Sequence, residues 1–145
     1  MSESVILLVE DNPSDEALTL RALKKSGIAN TVVVTRDGAE ALDYLFCRGA
    51  FAERDPRVLP QVVLLDLNLP KLGGLDVLRH IRADERTKLL PVVILTSSKE
   101  DRDLRGGYSL GTNSYVVKPI DFTQFAEAVR QLGLYWLLVN QPAPL

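Results

Sequence analysis

The sequence predicts a doubly wound α/β fold, in which a single five-stranded parallel sheet carries helices on both faces. Short apolar runs recur at residues 5–9, 62–65 and 92–95, and each is closed by polar residues. Runs that do not alternate with polar residues are typical of strands buried on both faces of a sheet. Segments with helical periodicity lie between these runs, and this alternation predicts parallel strands joined by right-handed crossovers.

Two further strands are predicted nearer the edges of the sheet. Residues 31–34 and 115–117 are short runs dominated by valine, a residue that favours strands. Together with the three apolar runs they complete the five strands. The stretch at residues 48–60 is polar and predicts a long connection before the third strand.

Five helices are predicted, each from a cap, a charge distribution or an apolar spacing. Gly27 and Gly38 indicate turns or caps, not a phosphate-binding loop. The marking residues are, in chain order, Asp15 and Glu16 with Lys24 and Lys25 in the first helix, Asp37 as the cap of the second, Leu75, Leu78 and Ile81 in the third, Gly106 and Gly107 within a weaker fourth at 99–110, and Asp121 as the cap of a fifth that carries Phe122, Phe125, Val129 and Leu132.

The composition is that of an ordinary globular domain. Hydrophobic residues make up 46% and charged residues 25%, and the net charge is −2 without a clustered basic patch, so a nucleic-acid partner is not expected. A lone cysteine excludes an internal disulfide, and no apolar run reaches the roughly 18 residues of a membrane helix. We expect one cytoplasmic domain over residues 1–145, with its core at 4–139, a tail at 140–145 and no output domain.

Reactive side chains follow four of the predicted strands. Glu10 and Asp11 follow the first, Asp66 the third, Thr96 the fourth and Lys118 the fifth. In an open α/β sheet the ligand crevice lies outside the carboxyl ends of the strands. The sequence therefore predicts one pocket that contains three carboxylates, a hydroxyl and an ammonium group.

Such a pocket suits a divalent cation and phosphoryl chemistry. Crowded carboxylates repel one another, and Mg²⁺ is typically bound by one or two carboxylates together with a phosphate. We expect Asp11, Asp66 and the backbone carbonyl of Asn68 to bind Mg²⁺ directly, and Glu10 to act through water. Asp66 could then accept a phosphoryl group, whose charge Mg²⁺, Lys118 and Thr96 would stabilise.

Four motifs resemble the receiver domain of two-component response regulators, and they occur in order over nearly the whole chain. They are LLVEDN at 7–12, LLDLNLP at 64–70, ILTSS at 94–98 and SYVVKP at 114–119. The resemblance implies a flavodoxin-like receiver fold with strand order 2-1-3-4-5. It also implies Asp66 as phosphoacceptor, Glu10 and Asp11 as the acidic pair that holds Mg²⁺, and Lys118 as the partner of the phosphoryl oxygens.

The resemblance further implies a conformational switch. Thr96 would move toward the phosphate, the rotamer of Tyr115 would follow, and contacts made by the fourth helix, fifth strand and fifth helix would change. The partner would be a sensor histidine kinase. One departure lies in the loop after the third strand, where Gly73 stands in place of the Asp of an Asp-Gly pair common in the family.

Three regions resemble a narrower group, the single-domain receivers that partner bacterial phytochrome-type kinases. They are the long connection before Pro60, the run at 111–115 and the ending at 135–138. The nearly contiguous apolar residues at 134–139 either cover the bottom of the domain or contact another chain. We expect a homodimer through the last helix and the edge strand.

Two other functions fit the sequence less well than a phosphoacceptor switch. A phosphatase that forms an aspartyl phosphate usually places a second Asp two residues after its nucleophile, but Asn68 stands there. A flavin or nucleotide domain needs backbone amides in a Gly- or Ser/Thr-rich loop after the first strand, and this chain places Glu10 and Asp11 there. The sequence therefore favours a signalling protein that is not an enzyme, beyond self-phosphorylation and slow self-dephosphorylation.

Overall fold

The structure is a computed structural model that describes residues 5–25, 30–67, 69, 72–96 and 114–117, together with residues 123 and 127. Its centre is a parallel sheet of five strands in the order β2-β1-β3-β4-β5, as the sequence predicts. The strands are β1 (Val5–Val9), β2 (Thr31–Thr35), β3 (Val62–Asp66), β4 (Val92–Thr96) and β5 (Ser114–Val117).

Three helices lie within the described residues. They are α1 (Pro13–Lys25), α2 (Gly38–Leu45) and α3 (Gly74–Ala83). The predicted cap of α2 is confirmed, because a side-chain oxygen of Asp37 accepts a hydrogen bond from the Glu40 amide at 2.8 Å. The predicted fourth helix lies outside the described residues. Of the fifth, only Thr123 and Glu127 are described, and both are helical and exposed.

The core consists of two apolar layers on opposite faces of the sheet. Leu7, Leu65 and Ile94 face α2 and α3, whereas neighbouring strand residues such as Leu8 and Leu64 face the opposite layer with α1. Successive side chains of a strand point to opposite faces, so burial of both faces requires an apolar residue at every position. This accounts for the continuous apolar runs in the sequence.

The long connection between α2 and β3 is packed against the domain. A short 3₁₀ turn at Gly49–Phe51 places the Phe51 ring edge-on to the Tyr44 ring, with centroids 5.1 Å apart. The Arg54 guanidinium lies 3.9 Å from the Tyr44 ring centroid and donates hydrogen bonds to the carbonyl oxygens of Tyr44 and Val58, both at 3.1 Å. A stretch that the sequence shows only as polar is therefore held in place by one arginine.

No helix within the residues described above is both long and apolar enough to cross a membrane.

Candidate metal and phosphoryl site

Three carboxylates meet at the carboxyl edge of the sheet. Glu10, Asp11 and Asp66 each offer an oxygen, and these oxygens lie within 4.8 Å of one another. They meet because β1 and β3 are adjacent and parallel, with Val9 opposite Leu65, so the residues that end the two strands share one edge. The predicted convergence of the three acids is confirmed.

Two of these acids are buried. Glu10 has no exposed surface and Asp66 is 3% exposed, whereas Asp11 is exposed. Burying carboxylates side by side costs free energy unless a cation or hydrogen bonds compensate. All three donors are hard oxygen atoms, which Mg²⁺ and similar cations prefer over softer ligands. The donor set therefore fits a divalent cation.

Hydrogen bonds with the backbone of β2 and of Asn12 hold Glu10 in place. Its amide donates to the carbonyl oxygen of Thr35 at 2.9 Å, and its carboxylate accepts from the Asn12 amide at 3.3 Å. Thr35 is itself buried at the end of β2, within hydrogen-bond distance of the Leu8 carbonyl oxygen. Thr35 is not among the predicted site residues. The sequence indicates a role for it only through its position at the end of an edge strand.

Asn12 separates the acidic pair from α1. Its side-chain oxygen accepts hydrogen bonds from the amides of Ser14 and Asp15 at 2.8 and 3.0 Å, so it caps the helix. Asp11, one residue earlier, joins the carboxylate cluster. Two roles that compete for this polar segment in the sequence, a helix cap and a ligand site, are thus divided between adjacent residues.

Asp66 and Thr96 end adjacent strands. Asp66 is the last residue of β3 and pairs with Leu95, so Thr96 lies one residue further along β4 at the same edge. Thr96 is fully buried. Each apolar run ends one residue before its strand does. Asp66 and Thr96 still belong to the strands, because backbone pairing does not require an apolar side chain.

An ion pair at the rim connects α1 to the segment after β2. Arg36 directly follows Thr35, its guanidinium donates to the Glu16 carboxylate, and its amide donates to a Glu40 carboxylate oxygen at 2.6 Å. The hydrogen bond from Arg36 to Glu16 raises the pKa of the guanidinium further above its ordinary value. The sequence does not reveal this ion pair, because 20 residues separate Arg36 from Glu16.

Three predicted site residues are not placed by the structure. Asn68 and Lys118 lie outside the described residues. For Tyr115 only the backbone is described, and this residue of β5 pairs with Ile94 of β4. Their roles stay predictions.

The fold and the carboxylate cluster together define an α/β domain with a site suited to a divalent cation. Residues 6–130 match the family described as the response regulator receiver domain, and the chain belongs to that family. It is therefore a receiver-domain response regulator of two-component signalling. Receiver domains of this kind act with histidine kinases, as phosphoacceptors and not as classical enzymes.

Related proteins cover almost the whole chain. The chain is 44% identical to the probable methanogenesis regulatory protein FilR2 of Methanothrix harundinacea, over 97% of this chain and 88% of the relative. It is 39% identical to response regulator Rcp1 of Synechocystis, over 96% of this chain and 93% of Rcp1. Among solved structures, the bacteriophytochrome response regulator AtBRR is 52% identical, with a TM-score of 0.86, over 97% of this chain and all of that one.

A solved structure of Rcp1 bears on the metal site. It is the Mn²⁺-bound form, which is 33% identical to this chain with a TM-score of 0.76, over 98% of this chain and 99% of that one. The predicted resemblance to single-domain phytochrome response regulators is thus confirmed. The carboxylate cluster is typical of the divalent-metal site of receiver domains.

Proposed function

We propose that this chain accepts a phosphoryl group on Asp66 from a sensor histidine kinase, with Mg²⁺ held by the carboxylate cluster. The observation that supports the proposal most strongly is that Glu10, Asp11 and Asp66 converge at the carboxyl edge of a receiver sheet. Asp11, Asp66 and the backbone carbonyl of Asn68 would bind the ion, and Glu10 would act through a water molecule. When bound, the ion supplies positive charge that neutralises the carboxylates and the phosphoryl oxygens.

In the proposed transfer, a carboxylate oxygen of Asp66 attacks the phosphorus of a phosphohistidine. The P–N bond breaks, and the imidazole nitrogen retains the electron pair and is then protonated. Burial of Asp66 at 3% exposure limits access of water to the acyl phosphate. Lys118 and Thr96 would donate hydrogen bonds to the phosphoryl oxygens, and Thr96 already ends the strand next to Asp66.

Phosphorylation would act as a switch of protein contacts. A phosphoryl group adds about −1.5 to −2 charge at neutral pH, and it arrives beside Thr96, the last residue of β4. We expect Thr96 and Tyr115 to change together and to alter the surface formed by the predicted fourth helix, β5 and the predicted fifth helix. A cytoplasmic receiver domain over residues 1–145 would signal through such contacts.

The similarity to the bacteriophytochrome response regulator AtBRR supports a bacteriophytochrome-type kinase as the partner. The test is phosphotransfer from an autophosphorylated kinase of that type to the native chain and to Asp66→Asn. We expect rapid loss of label from the kinase to the native chain and none to Asp66→Asn. Asp43→Asn, a half-buried acid at the far end of α2, is the matched control and should accept label normally. Label on Asp66→Asn would overturn Asp66 as acceptor.

We also propose a homodimer through β5 and the last helix. Analytical ultracentrifugation of the full chain, with and without the phosphoryl analogue beryllofluoride, tests this directly. A dimer in either state supports it, and a comparison of the two states shows whether dimerisation depends on phosphorylation. A monomer at high concentration in both states would exclude it.

A further inference from the structure

Gly38, the first residue of α2, packs so closely against the loop after Asp66 that no side chain fits between them. A Cβ atom at Gly38 would lie 2.5 Å from the backbone oxygen of Leu72 and 2.9 Å from the Leu72 Cβ atom. It would also lie 2.7 Å from Cγ2 of Val77 on α3. The Leu72 oxygen belongs to the backbone, so this overlap is relieved only if a backbone segment moves.

Backbone hydrogen bonds hold both ends of the same loop, next to the phosphoacceptor Asp66. The Leu67 amide donates to the carbonyl oxygen of Leu95 at 3.0 Å, and the Gly74 amide donates to the carbonyl oxygen of Leu67 at 3.1 Å. A Cβ atom at Gly74 would lie 2.4 Å from the backbone oxygen of Asp66. Leu72 lies two residues before Gly74, so Gly38 contacts the loop near its carboxyl-terminal end.

Helix α2 is held more firmly than the loop that contains Leu72. The helix is capped by Asp37, and Ala41, Leu42 and Leu45 are buried in the core. Leu72, in contrast, is only half-buried. A side chain at position 38 would therefore displace the loop in preference to the helix. That loop also contains Asn68, the predicted third ligand of the metal.

We propose that Gly38 is a positioning residue for the metal and phosphoryl site. Because Gly38 has no side chain, the loop after Asp66 can pack directly against the start of α2. This inference rests on the proposed function. It gives a role to a glycine that the sequence pattern assigns only to a turn or cap. It also connects the start of α2 mechanically to the peptide of the phosphoacceptor.

The test compares two glycine substitutions that contact the same loop region. In Gly73→Ala the added Cβ would meet, among the described residues, the Asp76 carboxylate alone, at 3.8 Å, and the φ of −66° suits any residue. Mn²⁺ binding to each full-length variant is measured by isothermal titration calorimetry, with initial rates of phosphorylation by acetyl phosphate at saturating Mn²⁺. We expect Gly38→Ala to bind Mn²⁺ about tenfold more weakly and to react more slowly. Gly73→Ala should match the native chain.

A core variant separates positioning from general loss of stability. Ile81 is fully buried on α3, so Ile81→Val lowers stability without adding an atom to the loop. All variants are compared at a temperature where circular dichroism shows them folded. Ile81→Val should retain native Mn²⁺ affinity. Native affinity in Gly38→Ala, or an equal loss in Ile81→Val, would overturn the proposal.

A double variant covers the case in which Gly38→Ala does not fold. Val77→Ala removes the Cγ2 contact but leaves the overlap with the Leu72 backbone oxygen. Gly38→Ala/Val77→Ala should therefore fold and still bind Mn²⁺ more weakly than Val77→Ala alone. Equal affinity in the two would contradict a role in positioning the loop. If the native chain itself fails to bind Mn²⁺ or to react, the proposed function fails instead.

Discussion

At the carboxyl end of the sheet, Glu10 and Asp66 are buried beside a third carboxylate, whereas beyond the amino end Arg54 packs on a tyrosine ring between two carbonyl oxygens. Both regions withdraw charged groups from water. At the amino end two carbonyl oxygens and an aromatic ring contact the guanidinium, whose Nη2 atom is buried without a hydrogen-bond partner among the described residues. At the carboxyl end three carboxylates lie close together, an arrangement that a bound cation stabilises.

The comparison indicates which buried charge serves stability and which serves function. The Arg54 side chain, contacted by its own chain, helps to hold a loop in place. Repulsion among the carboxylates at the ligand edge of the sheet costs stability, and a bound cation offsets that cost. Substitutions in the two regions should therefore have opposite effects on stability and on phosphorylation.

The largest effect is expected from Asp11→Asn, which removes one predicted metal ligand. The initial rate of phosphorylation by acetyl phosphate with Mg²⁺, followed by intact mass, should fall by about 100-fold or more. Asp43→Asn makes the same change of charge near the carboxyl-terminal end of α2, outside the carboxylate cluster, and should react at the native rate. A native rate in Asp11→Asn would remove this residue from the metal site.

The second effect concerns stabilisation by the metal. Ligand that binds only the folded state adds about 2.7 kcal/mol to the free energy of unfolding at 100 times its Kd. Urea denaturation should show this increment in the native chain and not in Asp11→Asn. The increment should shrink as the pH falls, because the carboxylates must be ionised to bind the ion. An equal increment in both proteins would mean that Mg²⁺ binds elsewhere.

Arg54→Met should reduce the free energy of unfolding by about 2 kcal/mol, since it removes two charge-assisted hydrogen bonds and the contact with the Tyr44 ring. Phosphorylation of the folded protein should be unchanged. The control is Arg57→Met in the same connection. The Arg57 side chain is 88% exposed, and among the described residues it pairs with Asp55, so this substitution should leave the free energy of unfolding close to its native value. A slower reaction in Arg54→Met would show that the two ends of the sheet are coupled.

The smallest effect has the opposite sign. Asp66→Asn removes one of the three clustered charges, so without metal it should raise the free energy of unfolding by about 1 kcal/mol. The measurement is urea denaturation in the presence of a chelator, with Asp43→Asn as the near-neutral reference. A loss of stability in Asp66→Asn would mean that hydrogen bonds to the Asp66 carboxylate outweigh repulsion from its neighbours.

Sequence patterns predict the parts of this molecule that depend on periodicity and strand order. The continuous apolar runs identify the central strands, and parallel topology then brings Asp11 and Asp66 to one edge. Strand limits shift slightly, since the runs stop before Asp66 and Thr96 although both residues still belong to strands.

Contacts between separate elements escape such patterns. The approach of Gly38 to Leu72 and the pairing of Arg36 with Glu16 depend on how helices and loops lie across the sheet. The same holds for the stacking of Arg54 on Tyr44. A polar or glycine residue in a loop has the same appearance in the sequence whether it faces solvent or supports a site.

The most direct test of the central claim is the intact mass of the full chain after brief incubation with acetyl phosphate, with and without Mg²⁺. We expect one phosphoryl adduct on the native chain, only with Mg²⁺, and none on Asp66→Asn. No adduct on the native chain with Mg²⁺, or an equal adduct on Asp66→Asn, would contradict the assignment of this carboxylate cluster as a metal-dependent phosphoacceptor site.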